Sequence, residues 1–176
     1  FTSRDGLTLQ GYLTVPANKN KPAPVILFPH GGPVARDHKA FDPFVQFFSA
    51  MGYAVLQVNY RGSSGFGKDL EIAGYRQWGK KMQDDLMDAL AAVSANPDID
   101  TSRSCMAGAS YGGYSTLVAS YRDQDKFRCF VSISGISDLP AMLRLDGSYD
   151  DTTRAIQKVM IGDFAEDEQS LTDVSA

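Results

Sequence analysis

The feature that most restricts the fold is an alternation met three times along the chain: a short apolar run, then a helix-length stretch with one apolar face. Val25-Ile26-Leu27-Phe28 is apolar throughout and bounded by Pro24 and Pro29. So short and uniform a run fits a strand buried on both faces. From Phe41 the residues Phe41, Phe44, Val45, Phe48 and Met51 follow a helical period, and Gly52 stands where a helix end favours a residue free to adopt positive φ. That helix is expected to lie against the sheet. Ala54 to Val58 predicts a second strand, and Met82, Leu86, Ala89, Leu90 and Val93 stripe a helix that Asn96-Pro97-Asp98 ends. Ser104 to Ala107, Tyr111 to Tyr121 and Phe130 to Ser134 then read strand, helix, strand. This order predicts a doubly wound, mostly parallel α/β sheet covered by helices on both faces.

Outside that pattern, Thr8 to Val15 alternates apolar and polar residues, as a half-exposed antiparallel edge strand would. Pro16 to Pro24 and Arg61 to Gly67 read as loops. Asp138 to Leu145 and Thr153 to Met160 each read as a helix, with no strand evident after Ser134. At 176 residues the chain is sized for one domain. Seventeen Lys and Arg against twenty-one Asp and Glu give a net charge of −4, with no dense basic run, which argues against a nucleic-acid partner. No apolar run approaches the ~18 residues of a bilayer span, so the chain reads as soluble with its compartment open, cytoplasmic or periplasmic. Cys105 and Cys129 sit in apolar runs with no Cys or His at ligand spacing and are expected to be two buried thiols rather than a disulfide or a metal site. No metal and no organic cofactor is expected.

Two motifs carry chemistry. Gly108-Ala109-Ser110-Tyr111-Gly112 is G-x-S-x-G, placed after a strand and at the opening of a helix. There a serine sits on a turn so sharp that side chains two positions away would collide with strand or helix. Its hydroxyl is exposed, and the helix N-terminus faces developing negative charge. Ser110 is the candidate nucleophile. His30-Gly31-Gly32-Pro33 follows the first buried strand, and its glycines let backbone N–H groups approach an oxyanion closely. The Gly32 and Tyr111 amides are the candidate pair of donors. Arg61 is expected to anchor the glycine loop through a carboxylate, and Trp78 and Asp84-Asp85 to serve packing and a helix face.

With Asn59-Tyr60-Arg61-Gly62-Ser63-Ser64-Gly65-Phe66-Gly67, Trp78-Gly79 and Gly113-Tyr114 added to these motifs, the chain resembles the prolyl oligopeptidase family of serine hydrolases, nearest its dipeptidyl and acylaminoacyl peptidase branch. The resemblance runs from Asp5-Gly6 to Ile161-Gly162-Asp163. It implies an α/β-hydrolase fold, Ser110 as nucleophile, and Gly32 and Tyr111 as oxyanion hole. It also implies a first specificity pocket lined by Tyr111, Ile136, Leu139 and Met142, and a short-peptide substrate cleaved through an acyl-enzyme.

One departure stands out. The family's order along the chain is Ser, then Asp or Glu, then His, whereas the two histidines here, His30 and His38, both precede Ser110. His30 is expected to be structural and His38 solvated. Asp138, Asp146, Asp150 and Asp151 come too early for the triad and read as caps or surface carboxylates. The 176 residues are therefore expected to be the N-terminal part of a hydrolase domain, truncated before the segment bearing the triad Asp and His and without the branch's β-propeller. The last strand is then a free sheet edge open to self-association. Alone, the chain is expected to show weak or no ester and peptide hydrolysis, because a serine without a base is a poor nucleophile. Robust Ser110-dependent turnover of a nitrophenyl ester by these 176 residues would contradict this. The alternatives are a carboxylesterase acting on small esters and a catalytically silent hydrolase-fold domain that binds partners.

Overall fold

A computed structural model describes residues 1–17, 22–146 and 150–176. The part of the expected loop at 18–21 and the Asp146 side chain lie outside the described residues. Among the described residues one five-stranded sheet organises the fold, with β1 Gln10–Thr14, β2 Ala23–Leu27, β3 Ala54–Asn59, β4 Ile99–Ala109 and β5 Cys129–Ile133 in the spatial order β1-β3-β2-β4-β5. The edge strand β1 runs antiparallel to β3, and the remaining pairs are parallel. The doubly wound, mostly parallel sheet expected from the alternation is thus the one observed.

The helices are α1 Pro43–Ala50, α2 Lys68–Ala73, α3 Lys81–Val93, α4 Tyr111–Arg122, α5 Leu139–Asp146, α6 Asp151–Met160 and α7 Glu168–Thr172. Strand pleating sends alternate residues to opposite faces. Val25, Leu27, Leu56, Val58 and Met106 join Met82, Leu86, Leu90, Tyr114 and Val118 of α3 and α4 in the main core. The other face carries α1, whose Phe44 and Phe48 rings meet Phe28 at 6.2 and 5.9 Å. Asp42 caps α1 by accepting from the Val45 N–H (3.0 Å), Pro43 takes its first position, and Gly52 closes it at φ 93°. Only part of the expected stripe reaches the sheet: Val45 is buried and Phe48 half-buried, while Phe41, Phe44 and Met51 are exposed and Phe41 precedes the helix. The apolar arc at this period is wider than the sheet surface available to it.

Four local differences separate sequence and structure. Strand β4 begins five residues earlier than its apolar core, since Ile99 alone is buried among the residues that start it. Helices α2 and α7 are six and five residues long, too short to show a period. Third, Cys105 and Cys129 are joined in a disulfide rather than held as two thiols. They are register partners on the neighbouring strands β4 and β5, with Cα atoms 4.8 Å apart, a proximity that strand pairing creates and spacing along the chain conceals. Fourth, Cys129 is exposed. Strand β5 forms the second edge of the sheet, with Val131 and Ile133 open to solvent. No helix among the described residues is long and apolar enough to cross a membrane.

Candidate active site

Strand β4 delivers Ser110 to the start of α4 at φ 55° and ψ −121°, a conformation that costs a non-glycine residue roughly 1–3 kcal/mol. Two hydrogen bonds hold it there: Ser110 N–H donates to Ile133 O (3.0 Å) and Tyr114 N–H donates to Ser110 O (2.9 Å). The flanking glycines have no room for a side chain. A β-carbon at 108 would stand 2.4 Å from Gly112 O, and one at 112 would stand 2.2 Å from Pro29 O. The turn is therefore packed backbone against backbone, with Ser110 itself exposed. The N–H groups of the first turn of α4, Tyr111 included, have no partner within the helix and carry its positive dipole end.

The loop after β2 passes directly over this turn. A β-carbon on Gly31 would lie 3.5 Å from Ser110 Cβ and 4.0 Å from Ser110 Oγ. His30 sets the plane of the next peptide. Its Nδ1 lies 2.7 Å from Gly31 O, and a carbonyl only accepts, so Nδ1 bears the proton. Nε2 then accepts from the Ser63 hydroxyl at 3.0 Å. The ring stacks on Tyr60 at 4.4 Å, whose hydroxyl donates to His30 O (2.8 Å). Burial lowers the His30 pKa, so the imidazole is neutral at neutral pH. In a planar trans peptide the carbonyl and the following N–H point in opposite directions. Pulling Gly31 O toward the imidazole therefore turns Gly32 N–H away from it.

Gly32, Pro33 and Ser110 line one cavity of about 420 Å³ together with Val34, Trp78, Ile136, Met142, Ile156, Gln157, Met160 and Ile161. Of the residues proposed from sequence for substrate, Ile136 and Met142 are on its wall. Leu139 is not: it is fully buried in the core. Its N–H donates to Ser175 Oγ (3.0 Å). The Tyr111 ring is likewise a core group, edge-on to Trp78 at 4.6 Å with its hydroxyl on Met82 Sδ, so only its backbone remains available to a substrate. Both corrections have one cause, since each residue opens a helix whose packing turns that first side chain into the core. The apolar wall from α6 was missed. Its signal was the pair Ile156 and Met160, four residues apart on one helix face.

The two histidines take the places expected of them. His30 is held by Gly31 and Ser63, and His38 is exposed, accepting from Arg36 Nε at Nδ1 (3.2 Å). Among the described residues neither imidazole is bonded to Ser110. Asp138 accepts from Ala141 N–H, Asp150 caps α6, and Asp151 is exposed in the first turn of α6. Arg61 anchors its loop as anticipated, donating from its N–H, Nε and Nη2 to Asp85 and from Nη1 and Nη2 to Asp5. Trp78 is packed between Tyr111 and Tyr114, and Asp84 pairs with Arg4 and Arg122 on the face of α3.

Comparison with known proteins agrees with this geometry. A profile described as the Prolyl oligopeptidase family matches residues 39–160. The "Dipeptidyl aminopeptidase BIII" of Pseudoxanthomonas mexicana is 43% identical over 151 residues, 81% of this chain and 22% of its own length. Among solved structures, an acylaminoacyl peptidase of Pyrococcus horikoshii superposes with a TM-score of 0.87 at 29% identity, over 99% of this chain and 28% of its own. An acylaminoacyl peptidase in complex with Z-Gly-Gly-Phe-chloromethyl ketone gives 0.85 at 31%, again over 99% and 28%. The chain thus spans between a fifth and three tenths of these relatives, and the shared architecture is part of an α/β-hydrolase catalytic domain.

Proposed function

The chain belongs to the prolyl oligopeptidase family, and from that premise we propose that it carries the nucleophile and oxyanion hole of a serine peptidase that cleaves short peptides. Ser110 Oγ attacks the scissile carbonyl, and the Gly32 and Tyr111 N–H groups receive the oxyanion. A histidine from sequence outside these 176 residues, oriented by an acid also outside them, takes the serine proton and returns it to the leaving amine. Water then releases the acyl group. The side chain beside the scissile bond enters the cavity, where Ile136, Met142, Ile156 and Met160 favour an apolar group.

The observation that carries this reading is the exposed Ser110 hydroxyl on a positive-φ turn at a helix N-terminus, with the Gly31-Gly32 loop passing over it. Further support comes from the peptide-derived chloromethyl ketone in a relative's structure. The test is a fluorophosphonate applied to the whole protein, followed by peptide mapping, then turnover of a peptide anilide and of a matched ester. Label on Ser110 with cleavage of both substrates is expected. Label with ester turnover alone makes the protein an esterase, and no label at Ser110 ends the hydrolase reading.

A further inference from the structure

Strand β3 ends in a polar pair that an otherwise buried strand has no packing reason to hold. Gln57 and Asn59 are two residues apart, so they project from the same face, and both are buried. Amides removed from water are costly unless bonded. Both reach the same residue, Asp37, on the loop that runs from Gly31 to the start of α1. Asn59 makes a two-point contact with the Asp37 main chain: Oδ1 accepts from Asp37 N–H (2.8 Å), and Nδ2 donates to Asp37 O (3.3 Å). Gln57 Nε2 donates to Asp37 Oδ1 (2.9 Å), while Asp37 Oδ2 is buried with no hydrogen-bond partner among the described residues.

We propose that Asn59, with Gln57, is a positioning residue that clasps the loop at Asp37 and so fixes where Gly32 N–H stands over Ser110. The proposal rests on the reading of Gly32 as an oxyanion donor. Gly32 is five residues from the clasp. Before Gly32 the loop is held at His30, and between Gly32 and Asp37 it is tied by Ser64 N–H, which donates to Ala35 O (2.9 Å), and by Arg36 Nη1, which donates to Gly65 O (3.3 Å). Releasing Asp37 removes the two-point tie and leaves the segment after Gly32 on the single bonds at Ala35 and Arg36, and a displacement of about 1 Å at a reacting group can cost as much as a hundredfold in rate.

Among the described residues no cation pairs with the charge at Asp37. Arg36 turns its guanidinium to His38 and Gly65 O and over the Phe66 ring. The other titratable groups that bear on the carboxyl are Asp42 at the start of α1 and Tyr60 after β3. Burial pushes the Asp37 carboxyl up to about 6, against the bond from Gln57 and with the like charge of Asp42. A group whose folded pKa is raised contributes its stabilisation below its unfolded value and loses it as pH rises through the folded value. The clasp therefore holds more firmly below pH 6 than above it.

The test uses the whole protein, an activated ester and two variants. Asn59→Ala is expected to lower kcat about 10- to 100-fold with KM within threefold, below the ~10²–10³ lost with an oxyanion donor itself. Amides of the segment 31–38 are expected to exchange with solvent at least tenfold faster. Asp37→Asn keeps the acceptor for Gln57 and removes the charge, so its kcat relative to wild type is expected to rise between pH 5 and pH 7.5. Asn59→Ala with wild-type kcat, or with unchanged exchange in 31–38, overturns the proposal, as does an Asp37→Asn ratio that stays flat. Exchange is read without turnover, so failure of fluorophosphonate to label Ser110 would sink the hydrolase reading and leave the clasp separately measurable.

Discussion

Ser110→Ala is expected to lower kcat of the whole protein on a peptide substrate by roughly a million-fold, with the fold intact. The size follows from what the substitution removes. Without the hydroxyl no acyl-enzyme forms, and the remaining amide donors accelerate only direct attack by water, which retains on the order of 10³–10⁴ over the uncatalysed rate. Structure should survive, because the turn is held by backbone: Ser110 N–H on Ile133 O, Tyr114 N–H on Ser110 O, and glycines at 108 and 112 packed against main chain. Alanine tolerates φ 55° no better than serine, so a small loss of stability accompanies the change. Steady-state kinetics with a fluorophosphonate titration of sites decides the matter, and turnover above a tenth of wild type would assign the chemistry to another group.

Asp85→Ala is expected to destabilise the protein by about 3–5 kcal/mol, the loss seen when one partner of a buried ion pair is removed. The Asp85 side chain is fully buried and that of Arg61 is 5% exposed. Burial pushes the Asp85 carboxyl up, opposed by the hydrogen bonds and charge of Arg61. Alanine leaves the guanidinium in the interior with Asp5 as its remaining carboxylate. Urea unfolding should show the loss as a lowered midpoint, and the double variant Arg61→Met with Asp85→Ala should recover part of it, because the unpaired charge is then gone. A loss below 1 kcal/mol would mean that the pair is not the anchor of this loop. The effect should extend to catalysis, because the loop that Arg61 begins also holds the segment after Gly32 through Ser64 N–H and supplies the Ser63 hydroxyl to His30.

These two experiments probe features that were legible to different degrees. The serine and its glycines could be read because a sharp strand-to-helix turn imposes local steric limits, and local limits leave a local pattern. Arg61 could be read as an anchor, but Asp5 and Asp85 could not be picked out as its partners, since both meet it across long separations in sequence. The disulfide between Cys105 and Cys129 was concealed for the same reason, as was the Asn59 clasp on Asp37, where three polar residues become partners only after β3 is in place. Leu139 and the Tyr111 ring show the converse case. The family resemblance implied that both line the cavity, and packing took their side chains into the core.

What the amino-acid sequence determined by itself was the order of the strands and of the longer helices, the two glycine-bearing turns, and the serine on the second of them, because hydrophobic period and steric allowance act over a few residues. The tertiary structure alone decided which side chains line the cavity, which carboxylates answer Arg61, and which strand holds the loop over Ser110. Those outcomes depend on distances between segments far apart in the chain, and such distances exist only once the sheet has brought the segments together.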